Sequence, residues 1–271
     1  MHDTVLGRPV GYPDRYAPAS LVAMARRDSR ERLGLGAALP FAGSDIWNAW
    51  ELSWLAPSGC PQMADCELRI PAESPKIVES KSLKLYLNSF AMSHFASADA
   101  VAATIRADLA AAVGSDIGVR LRAPGELPLP AIDRLPGICI DDAAVDCDRF
   151  EADASLLLAE PAVQAEESLH SHLLRSLCPV TGQPDTGSVL VRYRGPRIDP
   201  LALLRYIVSF RRHQDFHEAC VERMFCDIQE RCGAESLTVY ARFLRRGGID
   251  INPYRSTEDA APPPNLRLWR Q

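Results

Sequence analysis

The 271-residue sequence has no run of apolar residues long enough to cross a membrane. A membrane-spanning helix needs about 20 consecutive, mostly apolar residues. The first ten residues, MHDTVLGRPV, also lack the apolar core of a secretory signal peptide. We therefore expect a cytoplasmic protein that neither spans nor binds a membrane.

The sequence also lacks an excess of basic residues. It has 30 Lys and Arg residues against 35 Asp and Glu residues, which gives a net charge of −5. Proteins that bind nucleic acids usually carry Lys and Arg stripes that neutralise the phosphate backbone. We expect no direct binding to tRNA or DNA. The apolar fraction of 47% and the charged fraction of 24% are typical of a soluble globular protein.

The eight cysteines lack the short spacing of a zinc site. Cys60 and Cys66 do not form a C-x-x-C pair. Cys220, Cys226 and Cys232 stand six residues apart in a predicted helix, where six steps of about 100° turn each thiol away from the last. Without a secretory signal, cysteines are expected to be reduced thiols. We predict no metal site.

Two segments of the chain resemble each other. LYLNSF at 85–90 and RYIVSF at 205–210 share Tyr-x-x-Ser-Phe, offset by 120 positions (206 − 86). Each precedes a predicted helix, at about 98–113 and 218–232, that ends at a glycine, the usual residue after a helix. The predicted apolar stripes are Val101, Ile105, Leu109 and Ala112 in the first helix and Val221, Phe225, Ile228 and Cys232 in the second.

A predicted strand follows each of these helices, at 117–123 and at 237–246. Asp199 and Pro200 predict the N-cap and first residue of a further helix. The repeated order of strands, two helices and strands predicts an α+β fold, an antiparallel sheet with helices packed on one face. An acidic, Ala-rich stretch at 141–167 is interpreted as the linker region, so we predict modules at 1–140 and 141–271.

The segment CPVTGQPD at 178–185 carries the first candidate chemistry. Its prolines and glycine predict a turn, across which Asp185 would face Cys178. A free thiol has a pKa of about 8.5, so a nucleophilic cysteine needs a nearby acid or base. A packed cysteine beside a turn aspartate is the alternative, and the spacing alone favours it because free cysteines are often buried.

Phe216, His217 and Glu218 open the second long helix. A carboxylate there can accept N–H donors from a guanine-like edge, although the helix dipole alone also favours a glutamate in the first turn. His213 and His217 are spaced as a metal-binding pair, but no obvious third ligand accompanies them.

Two basic segments are candidates for binding an anion such as a cofactor phosphate. VESKSLK at 78–84 places lysines and serines at a predicted helix start, and RRGG at 245–248 combines guanidinium groups with open backbone. The alternatives are a solvated helix N-terminus and a charged strand end.

Together these segments resemble the 7-cyano-7-deazaguanine reductase (QueF) family in its longer, two-module form. The resemblance covers most of the chain and rests on DIWNAWELSW (45–54), ESKSLKLYLNSF (79–90), CPVTGQPD (178–185), FHE (216–218) and RRGGIDINP (245–253). It implies tandem tunnelling-fold (T-fold) ββααββ modules whose sheets close into a barrel on oligomerisation, and a homodimer. It also implies that the first module supplies the Glu-Ser-Lys motif and the second the nucleophile.

The resemblance further implies an enzyme of queuosine biosynthesis that reduces 7-cyano-7-deazaguanine to 7-aminomethyl-7-deazaguanine. Cys178 would attack the nitrile carbon to form a thioimide, and Asp185 would protonate the nitrogen. Two NADPH molecules would then supply hydride in turn. By position, the deazaguanine contacts are Val78, Glu79, Ser80, His217 and Glu218, and the NADPH contacts are Ser80, Lys81, Arg246 and Gly247. Thr186 departs from the family, which usually has an aromatic residue there.

Three other functions fit parts of the pattern. A cysteine hydrolase would use the same thiol and carboxylate to convert a nitrile or amide without consuming NADPH. A related T-fold cyclohydrolase would depend on a metal ion. A non-catalytic purine-binding module would have the same fold but would not convert its ligand.

Overall fold

A computed structural model describes residues 11–126, 132–258 and 264–271, which form a mixed α+β structure. The α-helices are α1 (Arg27–Arg32), α2 (Ser80–Asn88), α3 (Ala98–Val113), α4 (Pro200–Ser209) and α5 (His217–Cys232). The strands are β1 (Ala23–Ala25), β2 (Ala42–Leu55), β3 (Pro61–Pro71), β4 (Lys76–Val78), β5 (Gly118–Arg122), β6 (Ile132–Asp133), β7 (Ile138–Cys139), β8 (Ala159–Leu177), β9 (Pro184–Ile198), β10 (Ser236–Phe243), β11 (Ile249–Ser256) and β12 (Arg267–Leu268). Short 3₁₀ helices occupy Pro18–Ser20, Ala154–Leu156 and Phe210–Arg212. Of the helices in the described ranges, none combines the length and apolar character needed to span a bilayer.

The described residues group into two compact units. The first contains 11–32, 45–126 and 245–250, and the second contains 33–44, 132–244, 251–258 and 264–271. The chain passes from one unit to the other within β2 and within β11. The predicted division into modules 1–140 and 141–271 stays a prediction.

In the first unit, the strands lie in the order β5-β3-β2, and β3 pairs antiparallel with β5. β1 pairs antiparallel with β4, immediately before α2. The fully buried side chains of α3 are Val101, Ile105, Leu109 and Val113. The predicted stripe was wrong at its last position, because the four-residue steps of this helix bury Val113 and leave Ala112 partly exposed.

In the second unit, the strands lie in the order β11-β10-β9-β8-β7. β9 pairs antiparallel with both β8 and β10, whereas the two-residue β7 pairs parallel with β8. β8 begins at Ala159, so the predicted linker at 141–167 was wrong in its last third, where the chain forms a strand. The predicted strand at 237–246 corresponds to β10, which ends at Phe243, and every residue from Val239 to Phe243 is buried.

Both long helices are confirmed, and each ends as the sequence predicts. Gly114 and Gly233 follow α3 and α5 with φ of 75° and 66°, the left-handed conformation that glycine adopts without strain. The Asp199 side chain caps α4 by accepting from the amides of Leu201 (2.8 Å) and Ala202 (3.3 Å). The stripe predicted for α5 is buried at all four positions.

The Tyr-x-x-Ser-Phe repeat has the same local structure in each unit. The Tyr86 hydroxyl donates to Asp108 Oδ2 at 2.6 Å, and the Tyr206 hydroxyl donates to Asp227 Oδ2 at 2.7 Å. In both copies the serine hydroxyl donates to the tyrosine carbonyl at 2.6 Å. In both copies the tyrosine and phenylalanine rings meet edge to face, so the sequence repeat is a repeat of packing as well.

Candidate active site

The hairpin formed by β8 and β9 carries Cys178 and Asp185. In its ladder Leu177 pairs with Pro184 and Ser176 pairs with Asp185. The Cys178 amide donates to the Gln183 carbonyl at 2.9 Å, which extends this ladder by one step. The Gly182 amide donates back to the Cys178 carbonyl at 3.0 Å and closes the turn. The predicted turn is therefore present, and the backbone around Cys178 is held by both hydrogen bonds.

The pairing puts Cys178 and Asp185 on the same face of this hairpin. Directly opposed residues share a face, as do residues two apart in one strand. Because Ser176 opposes Asp185, Cys178 is the diagonal neighbour of Asp185. Both residues are buried, with exposures of 6% and 5%. The cysteine is thus packed, as the alternative interpretation held, but it is packed next to a buried carboxyl group.

The N-terminus of α5 adds His217 to this carboxyl group. His217 Nε2 lies 3.7 Å from Asp185 Oδ1. The imidazole ring meets the Phe243 ring edge to face, with 4.1 Å between the centroids, and this contact fixes its orientation. Phe243 pairs with Gly187 in the ladder, where a Cβ atom would stand 3.1 Å from the Phe243 ring. The absence of a side chain at Gly187 therefore leaves room for the ring that positions His217.

Glu218 follows His217 in the first turn of α5 and is 4% exposed. Two residues further on, Cys220 is completely buried. Burial raises the pKa of the Cys220 thiol, and the carboxylates of Asp215, Asp185 and Glu218 raise it further. Cys220 therefore stays protonated at neutral pH, and its environment shows that several carboxyl groups converge on the start of α5.

In the first unit, Glu79 is the N-cap of α2. Its carboxylate oxygens accept from the amides of Lys81 at 2.7 Å and Ser82 at 2.8 Å, and its side chain is fully buried. Val78 precedes it at the end of β4 and is also buried. Ser80 begins the helix, as predicted for this segment. Because a carboxylate occupies these first amides, an anion would meet like charge at the helix N-terminus.

A turn of two glycines lies beside a lysine of α2 in this unit. Gly247 and Gly248 have φ of 60° and 79°, and the Arg246 amide donates to the Ile249 carbonyl at 2.8 Å across them. A Cβ atom on Gly247 would lie 3.3 Å from Cδ and Cε of Lys84. Lys81 stands one turn before Lys84 on the same side of α2. The exposed Gly247 therefore lies beside the lysine-bearing side of α2, although the two are far apart in sequence.

In the second unit, the structure thus places Asp185 close to His217, with Cys178 one diagonal step from Asp185 and Glu218 next to His217 in α5. In the first unit, Val78, Glu79, Ser80 and Lys81 are consecutive at the start of α2, and Gly247, which follows Arg246, lies beside Lys84 of that helix. Sequence reasoning missed Phe243. This residue lies within the predicted strand at 237–246, but its ring contact with His217 is a tertiary feature without a sequence signal.

Comparisons with known proteins show which family the chain resembles. Residues 12–121 match the family model described as nitrile reductase, 7-cyano-7-deazaguanine-reductase N-term, and residues 184–262 match the one described as QueF-like protein. The chain is 51% identical over 271 residues to the NADPH-dependent 7-cyano-7-deazaguanine reductase of Dechloromonas aromatica, covering 100% of this chain and 96% of the relative. It is 54% identical over 254 residues to the protein of that name from Azoarcus sp., covering 93% and 90%. The protein of that name from Paraburkholderia phymatum is 49% identical over 267 residues, covering 98% and 97%.

Proposed function

The chain belongs to the 7-cyano-7-deazaguanine reductase (QueF) family, and we propose that Cys178 is the nucleophile with which it reduces the nitrile. The protein is an NADPH-dependent oxidoreductase that acts on 7-cyano-7-deazaguanine in queuosine biosynthesis. The observation that carries the assignment of the nucleophile is the shared hairpin face of Cys178 and Asp185, with His217 Nε2 3.7 Å from that carboxyl group.

The first step adds the Cys178 thiol across the nitrile. A bond forms between Sγ and the nitrile carbon, and one π bond of the nitrile passes its electron pair to the nitrogen. Asp185 accepts the thiol proton and donates a proton to that nitrogen, so the net result is a neutral thioimide. The diagonal position of Asp185 beside Cys178 supports this exchange, and burial shields it from competing water.

His217 and Glu218 are proposed to hold the deazaguanine. The Glu218 carboxylate is buried in the first turn of α5, where it can accept N–H donors of the base. The edge contact with Phe243 fixes the His217 ring. Val78, Glu79 and Ser80 are proposed substrate contacts on the strength of the family resemblance. For Glu79 this role must use the lone pairs that remain beside its two capping hydrogen bonds.

Ser80, Lys81, Arg246 and Gly247 are proposed to bind NADPH, and the first unit offers a surface that fits it. Gly247 is exposed and its missing Cβ leaves space beside Lys84, so a phosphate can approach both the backbone and the ammonium groups. Since Glu79 already caps α2, side-chain charge and not the helix N-terminus would hold that phosphate. NADPH supplies hydride when bound, and two molecules are needed because conversion of a nitrile to an amine takes four electrons.

The arrangement of modules, the oligomeric state and the cellular location are also proposals. The order β8-β9-α4-α5-β10-β11 supports a ββααββ T-fold module in the second half of the chain. We propose a tandem pair of such modules, at 1–140 and 141–271, that closes its sheets as a homodimer. The balance of charge and the lack of a long apolar run support a cytoplasmic enzyme that binds neither nucleic acid nor membranes.

The test of the nucleophile uses the purified protein with NADPH and 7-cyano-7-deazaguanine. We expect the absorbance of NADPH at about 340 nm to fall only when the nitrile is present. Two NADPH molecules should be oxidised for each amine formed. Without NADPH, mass spectrometry should find the nitrile attached to the peptide that contains Cys178. Cys178→Ala should lose both the adduct and turnover, whereas Cys60→Ser, a change at an exposed cysteine, should retain both.

Turnover that persists in Cys178→Ala would overturn the assignment of the nucleophile. An acid or amide product formed without oxidation of NADPH would instead favour the cysteine hydrolase.

A further inference from the structure

Cys139, His170 and His172 form a cluster on β7 and β8. Cys139 of β7 pairs directly with His170 of β8 in the parallel ladder. His172 lies two residues further along β8, and the centroid of its ring is 5.4 Å from that of His170. One ligand atom from each of the three side chains lies within 4.8 Å of the other two.

Hydrogen bonds outside the cluster orient both imidazole rings. His170 Nδ1 lies 3.0 Å from the Pro136 carbonyl oxygen. Because a carbonyl oxygen only accepts, Nδ1 carries the proton and the lone pair stays on Nε2. His172 Nδ1 lies 2.7 Å from the hydroxyl of Ser188, a buried residue of β9. Contacts of this kind fix the ring orientation and the tautomer of histidines that bind metals.

The backbone that leads to Cys139 lies in close contact with β8. Gly137 has a φ of 86°, and a Cβ atom there would stand 2.0 Å from the Ser168 carbonyl oxygen. The Ile140 amide donates to the His170 carbonyl at 3.0 Å. Only a glycine allows this approach, so the thiol is held beside the imidazoles by the fold itself.

Charges of both signs surround the cluster, since the Arg270 guanidinium donates to the His172 carbonyl at 2.5 Å and a carboxylate lies at the His172 amide. The Asp141 carboxylate accepts from the His172 amide at 2.9 and 3.3 Å, which places a negative charge between β7 and β8. Cys139 is exposed, so an ion and its water can reach the thiol from solvent. His170 is 7% exposed, which shields one side of the cluster from water.

We propose that Cys139, His170 and His172 bind a divalent transition metal ion, with zinc as the preferred ion. A thiolate and two imidazoles are zinc ligands, whereas magnesium and calcium prefer oxygen. Three protein ligands leave a fourth tetrahedral position for water. Binding forms a bond from Sγ to the metal ion and releases the Cys139 proton to solvent. The ion would cross-link the segment before the hairpin to β8 and so stabilise the folded chain.

Zinc titration of the chelator-treated, full-length protein tests this site. By calorimetry we expect one equivalent of zinc to bind to the wild type, and to Cys60→Ser as the matched exposed-cysteine control. Cys139→Ser and His172→Ala should bind zinc at least about tenfold more weakly. Added zinc should raise the melting temperature of the wild type and of Cys60→Ser, but not that of the two cluster variants.

Cobalt and alkylation report on the thiol itself. Cobalt(II) added to the wild type should give a thiolate-to-cobalt charge-transfer band that Cys139→Ser lacks and Cys178→Ala keeps. Zinc should protect Cys139, but not Cys60, from iodoacetamide. Tight one-equivalent binding that is unchanged in both cluster variants would overturn the proposal, as would a wild type that binds neither metal. The metal-free melting temperatures of the variants show whether each has folded.

Discussion

His217 Nε2 lies 3.7 Å from Oδ1 of Asp185, and the two side chains come from different elements, α5 and β9. This separation is too long for a direct hydrogen bond but short enough for electrostatic attraction. Asp185 is also the diagonal neighbour of Cys178 across the hairpin. The carboxyl group therefore neighbours both a thiol and an imidazole, which is the placement we expect of a group that exchanges protons with the substrate.

Asp185→Asn tests the carboxyl group as the proton donor. Asparagine keeps the size of the side chain but does not transfer a carboxyl proton. We expect covalent adduct formation on Cys178 to slow by roughly 10²–10⁴-fold, the usual contribution of general acid–base catalysis. Rapid quenching followed by mass spectrometry measures that rate. Asp215→Asn, which removes another carboxylate near Cys220, is the matched control and should form the adduct at close to the wild-type rate. Equal rates in wild type and Asp185→Asn would contradict the role.

His217→Phe separates proton relay from substrate binding. Phenylalanine preserves an aromatic edge against Phe243 but removes the ring nitrogens that face Asp185. If His217 relays protons, kcat should fall by about 10²-fold and its pH profile should lose an inflection, while KM for the nitrile changes less. The measurement is kcat and KM across pH. A parallel loss of binding and rate with an unchanged pH profile would show that His217 serves binding alone.

The sequence predicted the helical part of the fold well because its signals are local. The four-residue apolar steps of α5 and the closing Gly233 need no knowledge of the rest of the chain. The start of β8 was missed because residues 159–167 are rich in acidic and small side chains, and several of them are exposed. Pairing with β9 holds that segment as a strand. A pairing between residues about 30 positions apart leaves no periodic pattern in the sequence.

The candidate site was predictable where its members lie in one turn. Cys178 and Asp185 are seven residues apart, and the prolines and glycine between them predicted the turn that brings them to one hairpin. The Cys139 cluster was not predictable in this way, and the prediction of no metal site considered the spacing of other cysteines and the pair His213 and His217. Cys139 reaches His170 through a two-residue parallel strand, which a sequence pattern does not reveal.

Gly247→Ala tests whether the turn at 245–248 is part of the NADPH site. The new Cβ would lie 3.3 Å from the Lys84 side chain, and φ of 60° strains any residue with a Cβ. Gly248→Ala introduces similar strain, at φ of 79°, but meets nothing within 4 Å. We expect KM for NADPH to rise several-fold more in Gly247→Ala than in Gly248→Ala, about 1 kcal/mol of lost binding. Adduct formation on Cys178, which precedes hydride transfer, should remain. Equal KM values in the two variants would show that Lys84 is not near the cofactor.

Tyr206→Phe tests the repeated contact between helices in the second unit. Tyr206 is fully buried and donates to Asp227, so its loss should lower the free energy of unfolding at neutral pH by about 1–2 kcal/mol. Burial, and then the Asp227 carboxylate, raise the pKa of Tyr206 well above the ordinary value of 10.0. Denaturant unfolding followed by circular dichroism measures the effect. Tyr12→Phe, at a residue that is 75% exposed, is the control and should change little.

The same variant has a pH dependence of defined sign. An unfolded tyrosine releases its proton near pH 10, whereas folded Tyr206 keeps it. Above that pH the unfolded state therefore binds fewer protons than the folded state, and the free energy of unfolding falls as pH rises. Phenylalanine has no proton to release, so Tyr206→Phe should lose stability less steeply than the wild type. The difference in the free energy of unfolding between the wild type and Tyr206→Phe should have its full value below pH 10 and should narrow above it. A difference that stays constant from neutral pH into this range would mean that Tyr206 ionises equally well in both states, against its burial beside Asp227.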